Sequence, residues 1–261
     1  MDLGLKERVA LVLAAGGGLG RAIAVSLAAE GAKVALVDID GEALKASDQA
    51  VRAVGGTCVG LQWDISDTSL LETQFGEIEH KLGSVDILVN NTGGPPPALA
   101  VDAHVETWRR QFDAMVLSVI AVTSRALPAM RHKAWGRIIT STSSGVIAPI
   151  PSLVLSNALR LSLVGWSKTL SREVGRDGIT ANIVLPGRIS TARTRLLDEV
   201  RSRREARPIG EIEAESCAAM SLGRYGDPRE YADVVTFLAS ARASYITGSI
   251  IRVDGGLLQS T

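Results

Sequence analysis

The chain has only three tyrosines, Tyr225, Tyr231 and Tyr245, all in its C-terminal stretch. Chemistry carried by its first two hundred residues must therefore do without a phenol from nearby sequence. Its two cysteines, Cys58 and Cys217, are too few and too far apart for a disulfide scaffold or a metal site, a pattern that suits a reducing compartment. They read as ordinary core or surface residues. Three scattered histidines, His80, His104 and His132, have no carboxylate or cysteine in register, which argues against a metal centre or a Ser-His pair. The 28 basic residues balance the 28 acidic ones, so no global field favours nucleic acid or an anionic membrane. The N-terminus shows no small-residue cleavage pattern, and no apolar run reads as long enough to span a bilayer. The composition leads us to expect a soluble cytoplasmic protein.

Short β-branched or apolar runs alternate with longer segments of helical period. Strands are expected at Val9 to Leu13, Lys33 to Asp38, Cys58 to Trp63, Asp86 to Asn91, Gly136 to Thr142, Thr180 to Leu185 and Ser249 to Asp254. Between them, Arg21 to Glu30, Gly41 to Val54, Thr68 to Leu82, Val105 to Met130, Leu153 to Val174 and Pro228 to Ala239 carry apolar residues every three to four positions. Strands that are apolar on both faces and alternate with helices predict one α/β domain: a doubly wound parallel sheet of seven strands with helices on both sides. The Arg- and Glu-rich stretch from about residue 190 to 219 interrupts this alternation and reads as a lid-like insertion.

The first strand runs directly into Ala14-Ala15-Gly16-Gly17-Gly18-Leu19-Gly20 and then a helix. Glycines let backbone amides approach a pyrophosphate, whose charge the helix N-terminus favours. Asp38, at the end of the second strand, stands where a carboxylate accepts ribose hydroxyls and repels a 2′-phosphate. NAD is thereby preferred to NADP. Asp64 and Asn90 also fall where a dinucleotide would use them.

With these residues in place, the chain resembles the short-chain dehydrogenase/reductase family, and its 3-oxoacyl-carrier-protein-reductase-like members in particular, over nearly its whole length. The TGxxxGxG motif of that family appears as Leu13 to Gly20, with Ala14 in place of the first glycine. Its adenine-side aspartate is matched by Asp64, followed by Ile65. Its NNAG motif is matched by Asn90-Asn91-Thr92-Gly93, which continues into Gly94 and Pro95. Its PGxIxT segment beside the nicotinamide is matched by Pro186, Gly187, Arg188, Ile189 and Thr191. The resemblance implies an oxidoreductase that moves a hydride between nicotinamide and a small carbonyl or alcohol.

The match fails at the catalytic positions. The serine of the family is kept as Ser143, and thirteen residues later its tyrosine is replaced by Ser156; its lysine is replaced by Arg160 and its helix asparagine by Met115. The anchor Gly165-Trp166-Ser167-Lys168 gives the same register. A phenol of pKa about 10 can be tuned toward neutrality, whereas an aliphatic hydroxyl cannot. Arg160 could hold ribose hydroxyls or a substrate oxyanion but cannot release a proton. The proton would then come from water, a ribose hydroxyl or the substrate. Arg188 and Arg193, close to the nicotinamide segment, suit a carboxylate or phosphate on the substrate.

Two other readings stay open. One is a dehydratase- or lyase-type enzyme that keeps the dinucleotide without redox turnover. The other is a cofactor-binding pseudoenzyme in which Ser143 and Ser156 only line a retired pocket. In every reading the long helical segments Val105 to Met130 and Leu153 to Val174 carry more apolar residues than one face against a sheet can bury, so a homodimer or homotetramer is expected.

Overall fold

The computed structural model of the protein describes residues 2–260. Its first half alternates β1 (Val9–Leu13), α1 (Gly18–Ala29), β2 (Lys33–Asp38), α2 (Gly41–Ala53), β3 (Thr57–Gln62), α3 (Leu71–Lys81) and β4 (Ile87–Asn90). There follow α4 (Val105–Phe112), α5 (Ser118–His132), β5 (Gly136–Ser141), α6 (Val154–Val174) and β6 (Ile179–Pro186). The chain closes with α7 (Ala192–Glu205), α8 (Ile209–Ala218), α9 (Pro228–Ala239) and β7 (Ile250–Val253). The strand ends lie within two residues of those expected.

All seven strands are parallel, in the order β3-β2-β1-β4-β5-β6-β7. This is the expected doubly wound fold, and its physical basis is visible in β1. Ala10 and Val12 face one apolar layer and Val9, Leu11 and Leu13 the other, so every residue of the strand is buried. Helices α1, α2 and α9 cover the first layer through Ile23, Leu27, Leu44, Val51, Tyr231 and Val235. Phe75, Ile78, Val122, Met130, Leu170 and Val174, from α3, α5 and α6, cover the second. The strand order reverses between β1 and β4, which opens a crevice at the carboxyl ends of the strands.

Two expectations need correction. The segment Val105 to Met130 is not one regular helix, because a π-helical turn at Asp113–Leu117 separates α4 from α5. The combined run, Val105–His132, is also long and apolar enough to cross a membrane by length and composition, contrary to the expectation that no stretch is. Arg109, Arg110 and Arg125 conceal this in the sequence. In the fold Val116, Val119, Val122, Ala126 and Met130 are buried against the sheet and α6, while Val105, Phe112 and Leu117 of the same run stay exposed.

The segment 190–219 is regular: it forms α7 and α8. Arg201 bridges Glu205 of its own helix (2.8 Å) and Glu215 of α8, and Arg207 reaches Glu215 at 2.7 Å. Such exposed pairs are individually weak, but here they form one network that joins two helices with little buried apolar surface.

Candidate active site

A single cleft of about 1140 Å³ lies along the carboxyl ends of the strands, larger than an ordinary small-ligand pocket of about 300–1,000 Å³. Its walls carry Ala14, Gly16, Gly18, Leu19, Asp38, Asp64, Ile65, Asn91, Gly93 and Gly94 from the first half of the chain. From the second half come Ser143, Ser156, Arg160, Pro186, Gly187, Arg188, Ile189, Thr191 and Arg193. Of the candidate residues, Gly20, Asn90 and Pro95 are not on the wall. Gly20 is needed beneath it, because a Cβ there would overlap the Ala14 carbonyl oxygen.

The glycine turn is built from close approaches. A Cβ on Gly16 would come within 2.9 Å of the Asp38 carboxylate, and one on Gly18 within 2.8 Å of the Thr191 methyl. Ala14 adopts a left-handed conformation (φ 48°), a region that a side chain disfavours. The Asp38 carboxylate accepts the Gly16 amide at 2.8 Å and the Asp40 amide at 3.0 Å, which fixes it at the mouth of the turn. Asp64 is turned toward Ser66, whose amide and hydroxyl it accepts at 2.9 and 2.7 Å. Asn91 donates to the Ala14 carbonyl (3.4 Å). Asn90, expected to serve a dinucleotide, instead points inward and donates to Thr123 at 3.0 Å. The bare turn, the Asp38 carboxylate beside it and the volume of the cleft fit a dinucleotide.

At the other end, the Ser143 hydroxyl accepts the Gly145 amide at 3.1 Å, which leaves its own hydrogen free to donate into the cleft. Ser156, one turn before Arg160 on α6, is buried on the same wall. Met115, also on the wall, sits buried in the π-helical turn.

The arginines depart from expectation. Arg160 does not present its guanidinium as a free fork. It donates to the Ser141 carbonyl at 3.1 Å and to those of Thr92 and Gly93 at 3.2 Å each. Burial pulls its pKa down to about 10, with the nearby Arg193 charge acting in the same direction. Arg188 is paired with the fully buried Asp198 at 2.5 Å, and the second oxygen of that carboxylate accepts the Tyr225 hydroxyl at 2.8 Å. Arg188 is therefore a neutralised structural ion and not a free anion receptor, because its charge already has a carboxylate partner. Arg193 remains available.

Some wall residues escaped sequence reading. Thr92 and Thr142 have buried hydroxyls with no partner among the described residues. Thr92 stood in the Asn90 to Gly93 motif with no role of its own, and the only signal for Thr142 was its place beside Ser143. Arg204 donates to Ser152 at 2.6 Å across the cleft mouth, a contact between α7 and the loop before α6 that no local pattern announces.

The enzyme family described as enoyl-(acyl carrier protein) reductase matches residues 13–258. The 3-oxoacyl-[acyl-carrier-protein] reductase of Escherichia coli is 35% identical over 257 residues, 98% of this chain and 99% of that protein. The chain belongs to the short-chain dehydrogenase/reductase family. The L-2,3-butanediol dehydrogenase of Corynebacterium glutamicum, another relative, is 30% identical over 97% of this chain and 99% of its own length. Among solved structures, the L-sorbose reductase of Gluconobacter frateurii, complexed with NADPH and L-sorbose, superposes with a TM-score of 0.94 at 27% identity over 100% of both chains. The chain is an oxidoreductase of this family, and a nicotinamide dinucleotide is the cofactor that the family and the cleft indicate.

Proposed function

We propose that this short-chain dehydrogenase/reductase interconverts a small carbonyl compound and its alcohol, prefers NAD(H) to NADP(H), and works from an active site altered at Ser156 and Arg160. One observation carries the reading: a single cleft joins the glycine turn and Asp38 to Ser143 and Ser156, and its adenosine end carries carboxylates and no basic side chain. Asp38 and Asp40 line that end, while the Arg21 guanidinium is turned behind the turn onto the Gly16 carbonyl (3.0 Å) and Ser47. A 2′-phosphate there would meet two carboxylates with no compensating cation.

The glycine turn, Asp38, Pro186, Gly187, Ile189 and Thr191 would hold the dinucleotide, whose nicotinamide ring would supply or accept the hydride. Ser143 donates to the substrate oxygen and orients it. Arg160 ties the Thr92–Gly93 turn to the end of β5 and so keeps the walls in place. Ser156 offers a hydroxyl poorly matched in acidity to proton transfer, which leaves water, a ribose hydroxyl or the substrate as the proton source. Losing a tuned general acid costs about 10² to 10⁴ in rate, so turnover is slowed without being abolished.

A different observation, Ser156 where a phenol would serve, favours a second reading in which the dinucleotide is held without redox turnover. Fluorescence titration with NADH and NADPH, followed by a ketone screen for NADH loss, separates the two. Binding of NADH without consumption of it on any ketone selects the second. Equal or reversed affinities for the two cofactors would remove the NAD preference. We place the enzyme in the cytoplasm as a homodimer or homotetramer, joined through α4, α5 and α6, where Val105, Phe112, Leu117 and Leu161 are exposed.

A further inference from the structure

Seven arginines lie between Arg188 and Arg207. Six have a carboxylate within 4 Å: Arg188 has Asp198, Arg195 and Arg203 share Glu199, Arg201 and Arg204 share Glu205, and Arg207 has Glu215. Arg193 has none among the described residues. It sits in the first turn of α7, half-buried in the cleft wall. Its guanidinium is nonetheless held in place. It donates through Nη2 to the Pro95 carbonyl at 2.6 Å and lies flat on Gly94, where a Cβ would come within 2.9 to 3.1 Å of Nη2, Nε and Cζ. Among the described residues Pro95 is the one acceptor it meets, so most of its five N–H donors have no partner there. Burial lowers its pKa, and Arg160 nearby adds a second positive charge with no acidic partner among the described residues.

A half-buried cation without a counter-ion costs free energy that a ligand anion can offset. A planar fork with a free edge matches the two oxygens of a carboxylate better than the tetrahedral face of a phosphate. Resting on the oxidoreductase reading above, we propose that the substrate carries a carboxylate and that Arg193, seated on Gly94 and Pro95, binds it: the enzyme acts on small oxo acids or hydroxy acids. Asp38 and Asp40 lie with the glycine turn, whereas Glu205, the carboxylate on the α7 side of the wall, is paired with Arg201 and Arg204. The charges of the wall therefore favour such a substrate with its acid end toward α7.

The test uses the intact protein saturated with NAD⁺, which cannot reduce a ketone, so that binding is read without turnover. Oxo acids with the carboxylate one, two or three carbons from the carbonyl are titrated calorimetrically beside their methyl esters and the matching phosphonates. At least one acid should bind about tenfold or more tightly than its ester. Arg193→Gln should bring acid and ester within about twofold, and Arg193→Lys should restore part of the preference. Gly94→Ala, which displaces only the end of a flexible side chain, should weaken the preference while leaving the thermal midpoint unchanged.

Four results would overturn the proposal: no acid binding to the wild type at millimolar concentration; an acid preference that survives Arg193→Gln; a preference for phosphonates; or loss of NADH affinity in Arg193→Gln, which would assign the guanidinium to the cofactor pyrophosphate. Failure of the redox reading is separate. It would appear as acids bound calorimetrically but never reduced by NADH.

Discussion

The guanidinium of Arg160 donates to the carbonyl of Ser141 at 3.1 Å, and with its other nitrogen it spans to the turn that follows β4. A residue on a helix thus joins the ends of two neighbouring strands where the cleft wall forms. Ser141 is itself fixed from behind, its hydroxyl 2.8 Å from that of Tyr231.

Replacing Arg160 removes three hydrogen bonds at once, two of them to the buried carbonyls of Ser141 and Thr92. Arg160→Met is expected to cost about 2 kcal/mol or more, the usual penalty for orphaned buried acceptors, offset in part by removing a desolvated charge. Arg160→Lys should recover only part, since a point ammonium cannot span both strand ends. Urea denaturation with unchanged m-values checks both. A neutral result for Arg160→Met would mean that water replaces the guanidinium.

The two serines should respond differently. Ser143→Ala is expected to lower kcat by about 10² through loss of an orienting donor, whereas Ser156→Ala should change it less than about threefold. Steady-state kinetics on any turned-over ketone decides the matter. A loss of about 10² in Ser156→Ala, with fold and NADH affinity intact, would make that serine the proton donor.

Ala14 offers a stabilising change. Its φ of 48° is one that glycine adopts freely, so Ala14→Gly should raise stability by up to about 1 kcal/mol. The gain should appear as a higher thermal midpoint, with cofactor affinity preserved because no wall side chain larger than a methyl is lost.

Acid should loosen α7 and α8 before the sheet. Hydrogen bonds from Arg201 and Arg204 hold the Glu205 carboxyl at about 2, below its ordinary 4.5, and hold Glu215 below it as well. Carboxyls depressed in the folded state contribute stability that is complete above about pH 4.5 and is lost as pH falls toward 2. Amide-exchange protection in 192–218 should therefore decline across that window while β1 and β4 stay protected. Uniform decline across the chain would contradict this.

The exposed Val105, Phe112, Leu117 and Leu161 should be covered in solution. Light scattering at micromolar concentration is expected to give a dimer or tetramer mass, and Leu161→Glu to lower it. A monomeric wild-type mass would leave that face without a partner.

What could be read in the sequence, and what could not, divides by the range of the interactions involved. The seven strands were legible because burial on both faces imposes an uninterrupted apolar run on each, and the glycine turn because close backbone approach excludes side chains. Asp38 followed from its place at a strand end. These are local properties, carried by a residue and its near neighbours.

The tertiary structure alone decided which arginines are free. Arg160 could have pointed into the cleft, and its identity did not say that Thr92, Gly93 and Ser141, as far as 68 residues away, would each turn a carbonyl toward it. Arg188 and Arg193 look equivalent in the sequence. Only the packing of α7 brings Asp198 and Tyr225 to the first and leaves the second lying on Gly94 with no carboxylate among the described residues. A charge is written in the sequence, but its neutralisation depends on what meets it across the fold. Electrostatic energy falls with distance in space, and the order of residues along the chain does not encode that distance.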